Sequence, residues 1–389
     1  MKIAALDAFP VKLARDVAAG TGAAGLPAKL QQGQFAYHWS STFPTLYSSR
    51  FETALVRVRT DDGLEGWGEA QAPLAPEVAC SIVELLLRPA IVGEDLDSTP
   101  ERIAELYRRM YATMRVRGQT GGFMLDAIAG VDLALWDLAG KAVGKPAAAL
   151  VAHSPKSQLP AYVSGLAGDT NALRVEAARK TWQQGYRTYK LFYDRTRDDL
   201  FDLIDRLQDA FEGIVIAVDA LWRLDSEDAV AFGKQLDNRG ILWLEAPFYP
   251  EDVDVHRRLH EAIATPLALG ESYRTRYELE RFFEAGVVGF LQPDLGRVGL
   301  TESFALAETA ASVGAKVVPH VSTACGPQIA AALHLAAAAE SCNLVEYNPR
   351  VLEWANQFIE HPVEMGDAGY CFPQAPGLGV GEVTPPPMG

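Results

Sequence analysis

Residues 213–248, "GIVIAVDALWRLDSEDAVAFGKQLDNRGILWLEAPF", decide the fold. The apolar run "GIVIAVD" ends in Asp219, and a second apolar run, "ILWLEAP", carries Glu245 near its end. A strand, a connection long enough for a helix and a second strand make a parallel pair with a right-handed crossover. The unit repeats in both directions. "LPAYVSGL" and "TYKLFY" precede it, and "PLALGE", "VVGFLQPD", "AKVVPHV" and "CNLVEY" follow. Helix-like stretches such as "LFDLIDRLQDAF" and "ESFALAETAASVG" separate the runs. Eight strands in this rhythm predict a closed β/α barrel. An open doubly wound sheet is the alternative, but no glycine-rich dinucleotide fingerprint follows the early strands.

Ahead of the barrel the pattern is α+β. "MKIAALDAFPVKLA" and "ETALVRVRTDDGLEGWGEA" read as strands, the second folded at the hairpin turn "TDDG". A Gly-, Ala- and Ser-rich loop, about 18–50, lies between them and is longer than an ordinary connection, as lids and disordered segments are. Thr99 and Pro100 open a helix as cap and first-turn proline. "GGFMLDAIAGVDLALWDLAGKAVGKP" is a long apolar helix ending in a turn. The chain therefore divides into an N-terminal α+β domain at 1–125, a barrel at 126–350, and a segment at 351–389. That last segment, expected as turns and a tail, should return to the N-terminal domain.

The 389 residues carry a formal net charge of −15, and 49% are apolar. A large core is possible, and a nucleic-acid partner is disfavoured because phosphate contacts need clustered Lys and Arg. Cys80, Cys325, Cys342 and Cys371 form no C-x-x-C pair and read as reduced thiols. Asp7, Pro10 and Lys12 interrupt the N-terminal apolar residues, so no signal peptide is expected, nor any membrane span. A cytoplasmic location follows as the expectation.

The chemistry sits at strand ends. Asp219, Glu245 and Glu271 fall 26 residues apart in succession, one β/α unit each time. All three belong at the same mouth, on strands about 4.8 Å apart. Two like charges about 4 Å apart repel by about 4 kcal/mol at an effective dielectric near 20. Three such pairs approach the whole stability of a domain, about 5–15 kcal/mol. Either some carboxyls are protonated or a cation sits among them. Three oxygen donors suit Mg2+. The plain alternative for any one of them is a solvated loop charge. Asp294 and His320, again 26 residues apart, end the next two strands and form a general-base dyad. Glu346 ends the eighth strand as a further acid or a structural ion-pair partner.

Together the segments "GLEGWGEA", "DAIAGVDLALWDLAGKAVGKP", "VDALW", "WLEAPF", "GES", "LQPDLGRVGLTE", "VVPHVSTACG" and "PGLGVGE" resemble the enolase superfamily, in its mandelate racemase and muconate-lactonising branch. The resemblance covers nearly the whole chain. It implies a modified (β/α)7β barrel under an α+β capping domain built from both chain ends, and often a homo-oligomer. It also implies Mg2+ on Asp219, Glu245 and Glu271, a base dyad of Asp294 and His320, and abstraction of the proton α to a carboxylate. Sites of this kind combine a Lys or His base with Mg2+ that stabilises an ene-diolate.

The family commonly carries Lys-x-Lys at the second strand end, whereas this chain has Lys190-Leu191-Phe192. Alternation gives Phe192 the second lysine's direction, so the lysine base is absent. A register slip by one would put Tyr193 there instead. One base suits dehydration of a sugar acid to a 2-keto-3-deoxy acid. Lys190 then aids the substrate carboxylate or forms a structural ion pair. Leu221 stands where Asn is frequent, which removes a polar contact. His38 and Trp39 of the lid are expected to touch substrate. A cycloisomerase or epimerase of a sugar acid or lactone is the second reading. A Schiff-base aldolase through Lys190 is a remote one, since it leaves the three carboxylates unexplained. A non-catalytic sugar-acid binder is the last.

Overall fold

The structure is a computed structural model describing residues 1–14, 37–40 and 45–386. The chain opens with β1 (Ile3–Ala14), a hairpin of β2 (Tyr37–Ser40) and β3 (Thr45–Ser48), then β4 (Arg50–Thr60) and β5 (Glu65–Ala70). β1, β4 and β5 form an antiparallel sheet with β4 in the centre. Flanked on both sides, β4 is buried along nearly its whole length. The expected turn is present: the Thr60 amide donates to the Leu64 carbonyl across it. Of the expected lid, residues 18–36 and 41–44 lie outside the described residues.

The helix Pro100–Arg115 begins as its sequence requires, with the Thr99 side chain accepting from the Arg102 amide. The helix Phe123–Val143 is buried from Met124 to Gly140. It lies so close to β5 that a Cβ on Gly68 would stand 2.1 Å from the Gly130 carbonyl oxygen. The glycines of "GWGEA" thus let a strand and a helix touch through their backbones.

All eight expected barrel strands are present: β6 (Gln158–Ser164), β7 (Thr188–Phe192), β8 (Val215–Asp219), β9 (Leu244–Glu245), β10 (Leu267–Leu269), β11 (Phe290–Leu291), β12 (Lys316–Val317) and β13 (Val345–Tyr347). Neighbours from β6 to β12 pair in parallel, and β13 returns to pair with β6. A parallel bridge between Val317 and Cys342 completes the ring. Helices separate successive strands, giving the (β/α)7β order.

Tyr162, Ala217, Trp243, Ala268, Phe290 and Val318 form a separate buried cluster inside the barrel. Side chains alternate along a strand, so the residue two positions further on each strand faces inward one level higher. For β8, β9, β11 and β12 those residues are Asp219, Glu245, Gln292 and His320. The packed floor therefore fixes which side chains form the mouth.

The C-terminal segment contains two short strands, β14 (Met365–Gly366) and β15 (Gly369–Cys371), where turns were expected. β15 pairs antiparallel with β6. The chain then reaches the far end of the long helix, where the Leu378 amide donates to Asp137 Oδ1 (2.7 Å). Among the described residues no helix is long and apolar enough to cross a membrane.

Candidate active site

Register sets the levels of the mouth. Lys190 pairs with Ala217, and Phe192 with Asp219, which in turn pairs with Glu245. Phe192, Asp219 and Glu245 are therefore level, and Lys190 lies one step below. Beyond Asp219 the chain turns sharply through Leu221 and Trp222, with φ of 53° and 55°. Such left-handed conformations cost roughly 1–2 kcal/mol per non-glycine residue. The turn aims the Leu221 amide at Asp219 Oδ1 (2.8 Å), so this carboxylate is held from behind.

A cavity of about 210 Å3 opens above this level, with Phe192, Asp219, Glu271, His320 and Glu346 in its wall. Loops beyond β12 and β13 supply Ser322, Thr323, Asn348 and Arg350.

Two cations organise the acids. Lys190 Nζ stands 2.7 Å from Glu245 Oε1, 2.9 Å from Glu346 Oε1 and 3.8 Å from Asp219 Oδ2. Burial alone lowers its proton affinity, but Glu245 and Glu346 outweigh burial and hold it well above the usual lysine range. Glu245 Oε2 accepts from Trp243 Nε1 (3.0 Å) and Gln292 Nε2 (2.6 Å). Glu346 Oε2 accepts from the Val321 amide (2.9 Å).

His320 bridges two carboxylates, with Nδ1 2.9 Å from Asp294 Oδ2 and Nε2 2.8 Å from Glu271 Oε2. Burial disfavours its charge, but Glu271 and Glu346 outweigh it, so the imidazole binds its proton far more tightly than usual. For Glu271 burial pushes upward, and His320 overrides it and brings the carboxyl down to about 2. Asp219 moves the other way. Burial, then Glu245, raise it well above the carboxylate range despite Lys190.

Among the described residues no three acidic, histidine or cysteine side chains are grouped closely enough to hold a metal ion. In this arrangement Glu245 is turned to Lys190 and Glu271 to His320. The donor chemistry nevertheless fits a hard cation. Asp219, Glu245 and Glu271 offer only oxygens, and Asp219 marks a point short of positive charge.

The residues singled out from sequence divide accordingly. Asp219, Glu271, His320, Glu346, Lys190 and Phe192 meet at the cavity. Asp294 stands behind His320, and Glu245 lies beside Lys190. Tyr193 faces away. Because Phe192 takes the inward direction, Tyr193 turns outward onto Phe232 (5.3 Å) and under Arg223 (4.6 Å). His38 and Trp39 do not line the cavity. His38 stacks on Tyr47 within the hairpin, and Trp39 is 65% exposed. The hairpin is tied to the capping sheet instead, through Tyr37 Oη and Glu52 Oε2 (3.0 Å).

Gln292 and Gln328 escaped the sequence reading. Gln292 was recoverable, since it lies two positions beyond the inward-facing Phe290. Gln328 was not, because its partner Asp294 is 34 residues away on another element.

Acidic side chains at the carboxyl ends of barrel strands, an imidazole–carboxylate pair beside them and a separate α+β sheet define a class of capped β/α-barrel proteins. Residues 42–152 match the family "Mandelate racemase / muconate lactonizing enzyme, N-terminal domain", and residues 173–382 match "Enolase C-terminal domain-like". The chain belongs to the enolase superfamily of enzymes, in its mandelate racemase and muconate-lactonising branch. It is 30% identical to the D-galactarolactone cycloisomerase of Agrobacterium fabrum, over 86% of this chain and 90% of that protein. It is 31% identical to the D-galactonate dehydratase of Klebsiella pneumoniae, over 84% and 87%. The crystal structure of an enolase-superfamily member from Agrobacterium tumefaciens superposes with a TM-score of 0.89 at 27% identity, covering 97% of this chain and 96% of that one.

Proposed function

We propose that the protein removes the proton α to the carboxylate of a sugar acid, with His320 as base and Asp294 as its partner. Mg2+ would be held by Asp219, Glu245 and Glu271. The observation that carries this reading is the pairing of His320 Nδ1 with a fully buried Asp294 carboxylate (2.9 Å), with the ring at the cavity wall. That bond fixes the tautomer with Nε2 as the basic nitrogen and stabilises the imidazolium once formed. Bound Mg2+ supplies stabilisation of the charge that builds on the substrate carboxylate as the α-proton leaves.

A single base favours β-elimination over racemisation. Phe192, not a lysine, is level with Asp219, and Lys190 below it is saturated by Glu245 and Glu346. His320 takes the α-proton, then returns it to the β-hydroxyl as the carbon–oxygen bond breaks. Water and an enol result, and the enol ketonises to the 2-keto-3-deoxy acid. A lysine held protonated between two carboxylates is a poor amine nucleophile, which disfavours a Schiff base. Likeness to the galactarolactone cycloisomerase favours lactone isomerisation as the second reading. Within this scheme we assign 1–125 to the cap, 126–350 to the barrel and 351–389 to a closing segment.

An acid-sugar panel with Mg2+, trapped with semicarbazide, tests the proposal. A 2-keto product that disappears with EDTA and in His320→Asn is expected. A lactone consumed while its open-chain acid gives no semicarbazone indicates the isomerase. Full turnover by His320→Asn removes the base assignment.

A further inference from the structure

The buried groups behind His320 form a path that crosses from the barrel into the cap. Asp294 offers Oδ2 to His320, and its Oδ1 accepts from the Gly296 amide (3.0 Å) and from Gln328 Nε2 (2.9 Å). Gln328 is fully buried, and among the described residues its Oε1 has no hydrogen-bond partner. Burying an unpaired acceptor is costly, so this amide is kept in place for the donor at its other end. A Cβ on Gly296 would stand 2.6 Å from that oxygen and 2.8 Å from the Gln71 backbone nitrogen, so the turn beyond Asp294 packs closely against both.

Gln328 sits in the first turn of the helix Pro327–Ala338, whose N-cap Gly326 has no side chain to cap it. The cap comes from the other domain. Glu69, at the end of β5 and fully buried, accepts from the Cys325 amide (2.7 Å) on Oε1 and the Gln328 amide (3.3 Å) on Oε2. Thr53 Oγ1 on the neighbouring strand holds Oε1 (2.8 Å). A carboxylate at a helix N-terminus satisfies orphan amides and complements the dipole. Two residues on, the Gln71 amide donates to the Gly296 carbonyl (2.8 Å). The end of β5 thus grips both supports of Asp294: the helix that carries Gln328, and the turn at Gly296.

We infer that Glu69 and Gln328 are positioning residues for the base. Through them the capping domain orients the Asp294–His320 pair from behind. Neither residue touches the cavity, so proton transfer should respond to their loss and substrate affinity should not. The inference rests on His320 being the base, and its test separates the two.

The test uses Glu69→Gln, Gln328→Met and the double variant, with His320→Asn as control, in the full-length protein. Histidine-labelled 15N spectra of the seven histidines are recorded first, and the His320 signal is identified by its absence in His320→Asn. In both single variants the His320 Nδ1–H resonance should shift or broaden while the other histidines keep theirs. With an acid sugar that turns over, kcat should fall about tenfold or more. KM should stay within about twofold, and the isotope effect from an α-deuterated substrate should grow. The double variant should be no slower than Gln328→Met, because both changes act through one path. Folded single variants with wild-type kcat and an unmoved His320 resonance overturn the inference. Should Glu69→Gln fail to fold, Gln328→Met and Gln328→Asn decide it in the same way. Turnover by His320→Asn sinks the base assignment alone, since the spectra still report whether Glu69 and Gln328 hold the ring.

Discussion

Lys190 and His320 share one cavity, and each stands between carboxylates, yet they are held in different ways. Lys190 is 1% exposed and has three acidic neighbours within 3.8 Å. The rings of Phe192 (5.6 Å) and Tyr162 (5.8 Å) lie against the same ammonium. A lysine normally loses its proton near pH 10.4, so this pairing makes a permanent charge. His320 has one nitrogen committed to Asp294 and the other to Glu271, at the cavity wall. An imidazole normally titrates near pH 6.5, whereas Glu271 and Glu346 here hold its proton far more tightly. Like pairing thus produces a cation sealed below the mouth in one place and one held at the cavity wall in the other. If His320 is the base proposed above, position at the wall rather than proton affinity sets the two apart.

The sharpest way to break this comparison is His320→Asn. Turnover should fall by about 10²–10⁴-fold, the usual worth of general-base catalysis, as measured by initial rates on any acid sugar the enzyme consumes. Next comes Lys190→Met. It leaves Glu245 and Glu346 buried without their counter-charge, and removing one partner of a buried pair costs about 3–5 kcal/mol. Urea denaturation measures this, and an unchanged midpoint would mean that Lys190 is not the structural charge described.

His334 provides a third, smaller test, because it is an imidazole buried away from carboxylates. Its Nδ1 accepts from the Ala148 amide (3.0 Å), and burial takes its pKa down to about 4. The folded protein needs this ring neutral, whereas the unfolded chain protonates it below about pH 6.5. Its contribution is therefore complete above pH 6.5 and is lost as pH falls toward 4. Between pH 7 and pH 5 the wild type should lose about 2 kcal/mol more stability than His334→Asn, as read from denaturation at the two pH values. An equal loss in both proteins would remove the contrast between the two histidines. Smallest of all, Tyr193→Phe should change stability by no more than about 0.5 kcal/mol and leave kcat alone, since the ring faces the outer helices. A large kcat loss would mean that Tyr193, not Phe192, belongs to the mouth.

What was legible in the sequence follows from periodicity. All eight strands were found because each is an apolar run with a helix behind it. The constant spacing from Asp219 to Glu271 and from Asp294 to His320 placed the carboxylates and the imidazole at one rim. Alternation also gave Phe192 its inward direction. The partners of Lys190 were not legible, because register between strands, not order along one strand, lowers it by a level and brings Glu245 and Glu346 to it. Glu69 lay in plain view within "GWGEA", but its acceptor role depends on an amide 256 residues away. The outward Tyr193 shows the same limit. A one-residue slip would have put it at the mouth, and only packing reveals which way a ring points.

The pairing of β15 with β6 has a bearing on how the protein is made. β6 leaves the ribosome long before Gly369–Cys371 exist, and until they arrive its first three residues lack the partner strand that β13 gives the next three. The antiparallel cap sheet is built almost wholly from early residues and needs no such wait. Biosynthesis therefore leaves the barrel's first stave open until the final stretch of chain is complete, and that interval is when a nascent copy is most exposed to pairing with its neighbour.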